Sequence, residues 1–120
     1  MPKTILIVDD SDSIRTILRL TLQFSGYEIL EAEDGKQAYE ILERCPCDLV
    51  ITDLAMPVMT GVELLCKIRD ESRRKDIPVI VCTAEKTSQQ DDLLEKGVTK
   101  LMEKPISPRE LLDIVKNLLT

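Results

Sequence analysis

Five short apolar runs, Thr4–Val8, Tyr27–Leu30, Leu49–Thr52, Pro78–Thr83 and Thr99–Met102, divide the chain, and each is followed by a segment with helical periodicity. Runs such as "ILIV" and "VIVC" do not alternate with polar residues. A strand with one face in water must alternate, so continuous apolar strands imply a parallel sheet covered by helices on both faces. Between the runs, Ile14, Ile17, Leu18 and Leu22 are expected on one helical face, as are Leu111, Leu112, Val115 and Leu118. "SPRE" at Ser107–Glu110 offers a cap serine, a proline at the first helical position and a glutamate three residues after the cap; "TGVE" at Thr60–Glu63 repeats the pattern without the proline. Five strand–helix units in this order make a doubly wound α/β sandwich. The length of 120 residues, with no repeats or low-complexity linkers, implies one domain over 1–120. One helix stands apart. Lys86 to Gly97 has only Leu93 and Leu94 to pin it, which makes it either a moving part or an ordinary polar surface helix.

Composition narrows the partners. A net charge of −6 argues against a nucleic-acid surface, since phosphate contacts need clustered Lys and Arg. The basic residues of "RDESRRKD" are interleaved with acids and are expected at a solvated helix end. "TILIV" is too short for a signal sequence or a membrane span, so a cytoplasmic location away from membranes is expected. Cys45, Cys47, Cys66 and Cys82 form no C-x-x-C pair, and there is no histidine to complete a zinc site with them; reduced structural thiols are expected.

The chemistry collects at the carboxyl ends of the runs. The first ends in Asp9 and Asp10, the third in Asp53, the fourth in Thr83 and the fifth in Lys104. In an open parallel sheet those ends share the edge where ligands bind. Two carboxylates ~4 Å apart repel by about 4 kcal/mol at an effective dielectric of 20, and one lysine does not neutralise three. An all-oxygen acidic cluster suits a hard divalent cation, Mg²⁺ or Mn²⁺. A divalent ion with Lys and Thr beside it is a device for stabilising a transferring phosphoryl group. Asp53 is then a further ligand, a base, or a nucleophile forming an acyl phosphate, and the residues alone leave those three open.

"LIVDDSDSIR", "DLVITDLAMPVMTG", "VIVCTAE" and "LMEKPIS" together resemble the signature stretches of the receiver domain of two-component response regulators, in the right order and over essentially the whole chain. The resemblance implies a CheY-like, flavodoxin-like α/β fold: a five-stranded parallel sheet of order 2-1-3-4-5 with five helices. It implies Asp53 as phosphoacceptor from a sensor histidine kinase or histidine phosphotransfer protein. It implies Mg²⁺ held by Asp10 and Asp53, by Asp9 mostly through water, and by the backbone carbonyl of Ala55. Thr83 would hydrogen-bond the phosphoryl oxygens and Lys104 would pair with them. The Lys104–Pro105 bond would be cis, and Gly61 would sit where no Cβ is wanted. Ala55 and Glu85 would set the lifetime of the acyl phosphate. The implied protein is a phosphorylation-dependent, stand-alone signalling switch of chemotaxis or relay type, a monomer before phosphorylation, with an unidentified protein target and no output domain; it catalyses only its own phosphorylation and dephosphorylation.

Two positions depart from the family pattern. Leu101 stands where an aromatic switch residue is usual, and Ile106 replaces a common Phe. Output is nonetheless expected through Lys86–Gly97, Leu101–Glu103 and the last helix. A phosphate sink or adaptor is the alternative within the family. Outside it, a flavin-binding module lacks aromatic residues for stacking and has the anionic "DDSDS" where a phosphate loop is needed. A haloacid-dehalogenase-type phosphatase needs a second Asp two residues after the nucleophile, and neither Asp53 nor Asp9 has one.

Overall fold

The computed structural model describes residues 2–71, 76–84 and 90–120. Strands and helices alternate: β1 (Thr4–Val8), α1 (Asp12–Gln23), β2 (Glu28–Ala32), α2 (Gly35–Arg44), β3 (Leu49–Asp53), α3 (Gly61–Glu71), β4 (Val79–Thr83), α4 (Gln90–Glu95), β5 (Lys100–Glu103) and α5 (Pro108–Leu119). The five strands form one parallel sheet of order β2-β1-β3-β4-β5. Fold class and strand order are as the sequence and its resemblance imply.

Alternation along the strands feeds two separate cores. Leu6, Val8, Val50, Val79 and Val81 face α2, α3 and α4, where Ala38, Leu42, Leu64, Leu65, Ile68 and Leu93 meet them. Ile5, Ile7, Leu49, Ile51 and Ile80 face the other way, onto Leu18 and Leu22 of α1 and Leu111 and Val115 of α5. Helix starts are capped as the sequence indicates. The Ser107 hydroxyl accepts from the Glu110 amide with Pro108 in the first turn. Thr60 and Glu63 cap each other, the Thr60 amide donating to the Glu63 carboxylate at 3.3 Å and the Glu63 amide to the Thr60 hydroxyl at 3.2 Å.

Several boundaries and faces differ from expectation. β2 begins at Glu28, one residue after Tyr27, because the Tyr27 amide donates back to Leu22 at the end of α1. Being an edge strand, β2 keeps polar Glu31 in its ladder and runs on to Ala32. β3 extends by one residue to Asp53, β4 loses Pro78, and β5 is displaced by one residue to Lys100–Glu103. On α1 the buried stripe is Arg15, Leu18 and Leu22, and Ile17 is 58% exposed. Of the pair expected to pin the helix after β4, Leu93 is fully buried while Leu94 is 57% exposed. Residues 86–89 of the span Lys86–Gly97 lie outside the described residues; α4 itself runs over Gln90–Glu95.

The largest departure concerns Arg69, expected at a solvated helix end. Its guanidinium ties α3 to the segments before β4 and after α4, donating to the Ile77 carbonyl at 2.6 Å and to the Gly97 carbonyl at 2.8 and 3.0 Å. Partial burial lowers its proton affinity, against the pull of Asp76. Residues 72–75 of that charged stretch lie outside the described residues.

Candidate functional site

The order β2-β1-β3 places the ends of β1 and β3 side by side, and chain direction reverses its winding there, where open α/β sheets bind ligands. Asp9 and Asp10 follow β1, Asp53 closes β3, and Lys104 follows β5. One carboxylate oxygen from each of Asp9, Asp10 and Asp53 lies within 4.8 Å of the others. The Lys104 ammonium reaches across at 3.2 Å from Asp53 Oδ1 and 3.4 Å from Asp9 Oδ2.

Burial decides the electrostatics. The side chain of Asp9 is 4% exposed and that of Asp53 12%, whereas Asp10 is open to solvent. Desolvation raises the proton affinity of Asp53, with the Asp9 charge adding to it and Lys104 opposing it. Burial works to discharge Lys104, but hydrogen bonding and charge from Asp53 and Asp9 outweigh it and raise its pKa, so it stays an ammonium. Cys82, buried one residue before Thr83, has its thiol pushed up to about 12 by burial. Burial of this kind disfavours the thiolate, the reactive form of cysteine.

The remaining sequence-indicated positions surround this centre. Thr83 ends β4 and is buried, and its carbonyl accepts from the Lys104 amide at 2.7 Å, joining the two strand ends. Ala55 is exposed in the loop after β3. Gly61 opens α3 directly beneath Asp53: a Cβ there would stand 2.9 Å from the Leu54 Cα and closer still to the Asp53 carbonyl. Its amide donates to the Leu54 carbonyl at 2.8 Å. The Lys104–Pro105 bond is cis. Leu101 is half-buried on β5 against the core beneath α4. Ile106 is half-buried and packs on the α1–α5 core. Glu85 lies outside the described residues.

Arg15 is a site residue that no motif in the sequence marks. It is 8% exposed, and its guanidinium donates to the Asp9 carbonyl and to the Asp12 carboxylate. It also lies 3.6 Å from Glu31. The signal was its spacing: Arg15, Leu18 and Leu22 fall at i, i+3 and i+7, which puts an arginine on the core stripe of the helix that begins at the acidic loop.

The donor set fits Mg²⁺: three carboxylate oxygens, no nitrogen or sulfur, and one partner open to water, which a reluctantly dehydrating ion requires.

Residues 5–116 match the family model described as the response regulator receiver domain. The chain is 41% identical over 110 residues to the chemotaxis protein CheY1 of Helicobacter pylori, covering 89% of each protein. It is 38% identical over 120 residues to the phosphate regulon transcriptional regulatory protein PhoB of Pseudomonas aeruginosa, and spans only 52% of that protein's length. Among solved structures, Vibrio cholerae chemotaxis protein CheY4 superposes with a TM-score of 0.92 at 35% identity, over 99% of this chain and all of that one. The receiver domain of sensor histidine kinase PA1611 from Pseudomonas aeruginosa, determined with magnesium coordinated in its active-site cleft, superposes with a TM-score of 0.90 at 27% identity, over 99% of this chain and 98% of that one.

Proposed function

The chain belongs to the response regulator receiver domains, and from that premise we propose that Asp53 accepts a phosphoryl group from a histidine kinase or a histidine phosphotransfer protein. The observation that supports this most is the convergence of Asp9, Asp10 and Asp53 with Lys104 on the carboxyl edge of the sheet. An Asp53 oxygen attacks phosphorus, an acyl phosphate forms, and the P–N bond to the donor's imidazole breaks. Desolvation that raises the proton affinity of Asp53 also makes its carboxylate a stronger nucleophile. Lys104, already 3.2 Å from Asp53 Oδ1, moves its ammonium from carboxylate to phosphoryl oxygen without leaving the pocket. The Thr83 hydroxyl, at the end of the adjacent strand, hydrogen-bonds a second phosphoryl oxygen. Asp10, Asp53 and the Ala55 carbonyl, with Asp9 through water, would hold Mg²⁺, and the bound ion would supply positive charge to offset the phosphoryl oxygens. Gly61 lets α3 begin directly beneath Asp53.

The protein is a signalling module, and its chemistry is confined to its own aspartate. An apolar groove of about 460 Å³, with Ile17, Pro105 and Ile106 in its walls, opens beside Lys104 and offers the phosphodonor a place to sit. We place the protein in the cytoplasm, as a monomer until phosphorylated and acting through protein contacts as a single receiver domain, with output on the face of α4, β5 and α5.

Incubation with Mg²⁺ and acetyl phosphate, followed by intact mass, tests the proposal. One added phosphoryl group, lost in Asp53→Asn and in EDTA, is expected. An unmodified mass from a folded protein that binds Mg²⁺ would contradict it.

A further inference from the structure

Asp9 is held at every polar group it has. Its amide donates to the Ala32 carbonyl at the end of β2 (3.1 Å), and its Oδ1 accepts from the Ser11 amide (2.9 Å). Its Oδ2 faces Lys104 at 3.4 Å, and its carbonyl accepts from Arg15 Nη1. Three of these four ties come from the loop itself or from groups already assigned to the site or the sheet. The fourth comes from α1, and it is the one that acts on the peptide plane between Asp9 and Asp10. Rotation of that plane would swing the Asp10 carboxylate, the exposed member of the cluster, away from Asp53.

Arg15 is itself immobilised. Its guanidinium is shared among the Asp9 carbonyl, Asp12, Glu31 of β2 (3.6 Å) and Glu33 (4.0 Å). These contacts use the fork of donors that arginine offers and a lysine ammonium does not. We infer that Arg15 is a positioning residue: it locks the Asp9–Asp10 peptide so that the two carboxylates stand ready for the divalent ion, and it makes edge strand β2 part of that support. This inference rests on the metal-assisted reading of the site.

Position and charge make opposite demands, so the two can be separated. A cation near a metal site repels the incoming ion, and if Arg15 acted through charge alone its removal would tighten Mg²⁺ binding. If it acts by holding the peptide, removal weakens binding, and supports one shell behind a metal ligand commonly account for about 10–100-fold in affinity.

The test is calorimetric titration with Mg²⁺ and Mn²⁺ of wild type, Arg15→Met, Arg15→Lys and Arg19→Met, with folding checked by circular dichroism. Arg19 ties α1 to the same Glu31 at 3.6 Å without touching Asp9, so it controls for loss of the helix–strand bridge. Arg15→Met is expected to bind about tenfold or more weakly, Arg15→Lys to fall between it and wild type, and Arg19→Met to stay within twofold of wild type. The Mg²⁺ concentration giving half-maximal phosphorylation should rise in parallel while the rate at saturating Mg²⁺ stays within about twofold. Unchanged or tighter binding in Arg15→Met, or an equal loss in Arg19→Met, overturns the inference. Should Arg15→Met fail to fold, Arg15→Lys decides: wild-type affinity there overturns it. A wild type that binds no Mg²⁺ instead refutes the reading of the site itself, and the inference with it.

Discussion

Neutralising Asp53 should stabilise this protein in the absence of metal. Carboxylate oxygens of Asp9, Asp10 and Asp53 lie within 4.8 Å of one another, and at an effective dielectric of 20 each such pair repels by roughly 3.5 kcal/mol. Asp10 is exposed, and screening cuts its share to about half, leaving roughly 5 kcal/mol acting on Asp53. Attraction to Lys104 at 3.2 Å returns about 5 kcal/mol on the same scale. The charge terms nearly cancel, and the cost of desolvating a carboxylate that is 12% exposed is left over. That residue has the same sign as the raised proton affinity of Asp53. Asp53→Asn keeps the acceptor for the Leu54 amide, now at 2.9 Å, and leaves Lys104 paired with Asp9. A gain of about 1–2 kcal/mol at pH 7 follows, or roughly 3–8 °C in Tm for a chain of this size. A group whose pKa is raised by folding favours the folded state at pH below its unfolded value, and that contribution disappears as pH rises through the folded value. The gap between variant and wild type should therefore be absent in acid and open on the way to neutrality. Thermal unfolding in EDTA at several pH values, followed by circular dichroism, measures it. Millimolar Mg²⁺ should then raise the wild type more than the variant and narrow the gap. An Asp53→Asn variant less stable than wild type in EDTA at pH 7 would refute the electrostatic reasoning.

Val58, 75% exposed in the loop after β3, has φ of +68°, a left-handed conformation that a β-branched residue resists. Val58→Asn should stabilise by about 1 kcal/mol in urea unfolding, and a loss would show that the loop is not strained. Gly61→Ala places a methyl against the Asp53 carbonyl and Leu54; it should destabilise by roughly 1–3 kcal/mol and slow phosphorylation of Asp53, whereas unchanged rate and Tm would refute the close approach. Arg69→Met removes the donor from the Ile77 and Gly97 carbonyls, at about 1–3 kcal/mol, and amide exchange should quicken around Val98 before it does in β1; uniform exchange would show that the clamp is not local.

The strands and the site were legible for one reason: a parallel sheet turns the residue that ends each apolar run into a neighbour of the others. Asp9, Asp10, Asp53, Thr83 and Lys104 needed no side-chain detail to be grouped. What stayed hidden was which polar groups are buried. Periodicity assigned Ile17 to the core of α1 and passed over Arg15, because an arginine enters a core only where partners wait for it. Those partners, the Asp9 carbonyl and Glu31, lie in a loop and on another strand. Arg69 escapes the pattern in the same way, since two backbone carbonyls are invisible in a pattern of side chains. Leu94, adjacent to Leu93, points to solvent because a helix of six residues turns only a narrow face inward.

The central claim is that the phosphoryl group resides on Asp53, and reductive trapping tests it most directly. Borohydride reduces an acyl phosphate to the alcohol with release of phosphate, so the modified aspartate becomes homoserine and is located by tandem mass spectrometry. After Mg²⁺ and acetyl phosphate, homoserine at position 53, with Asp9 and Asp10 intact, is the predicted result. Homoserine at position 9 or 10, or none in a protein that has gained a phosphoryl group, would contradict it.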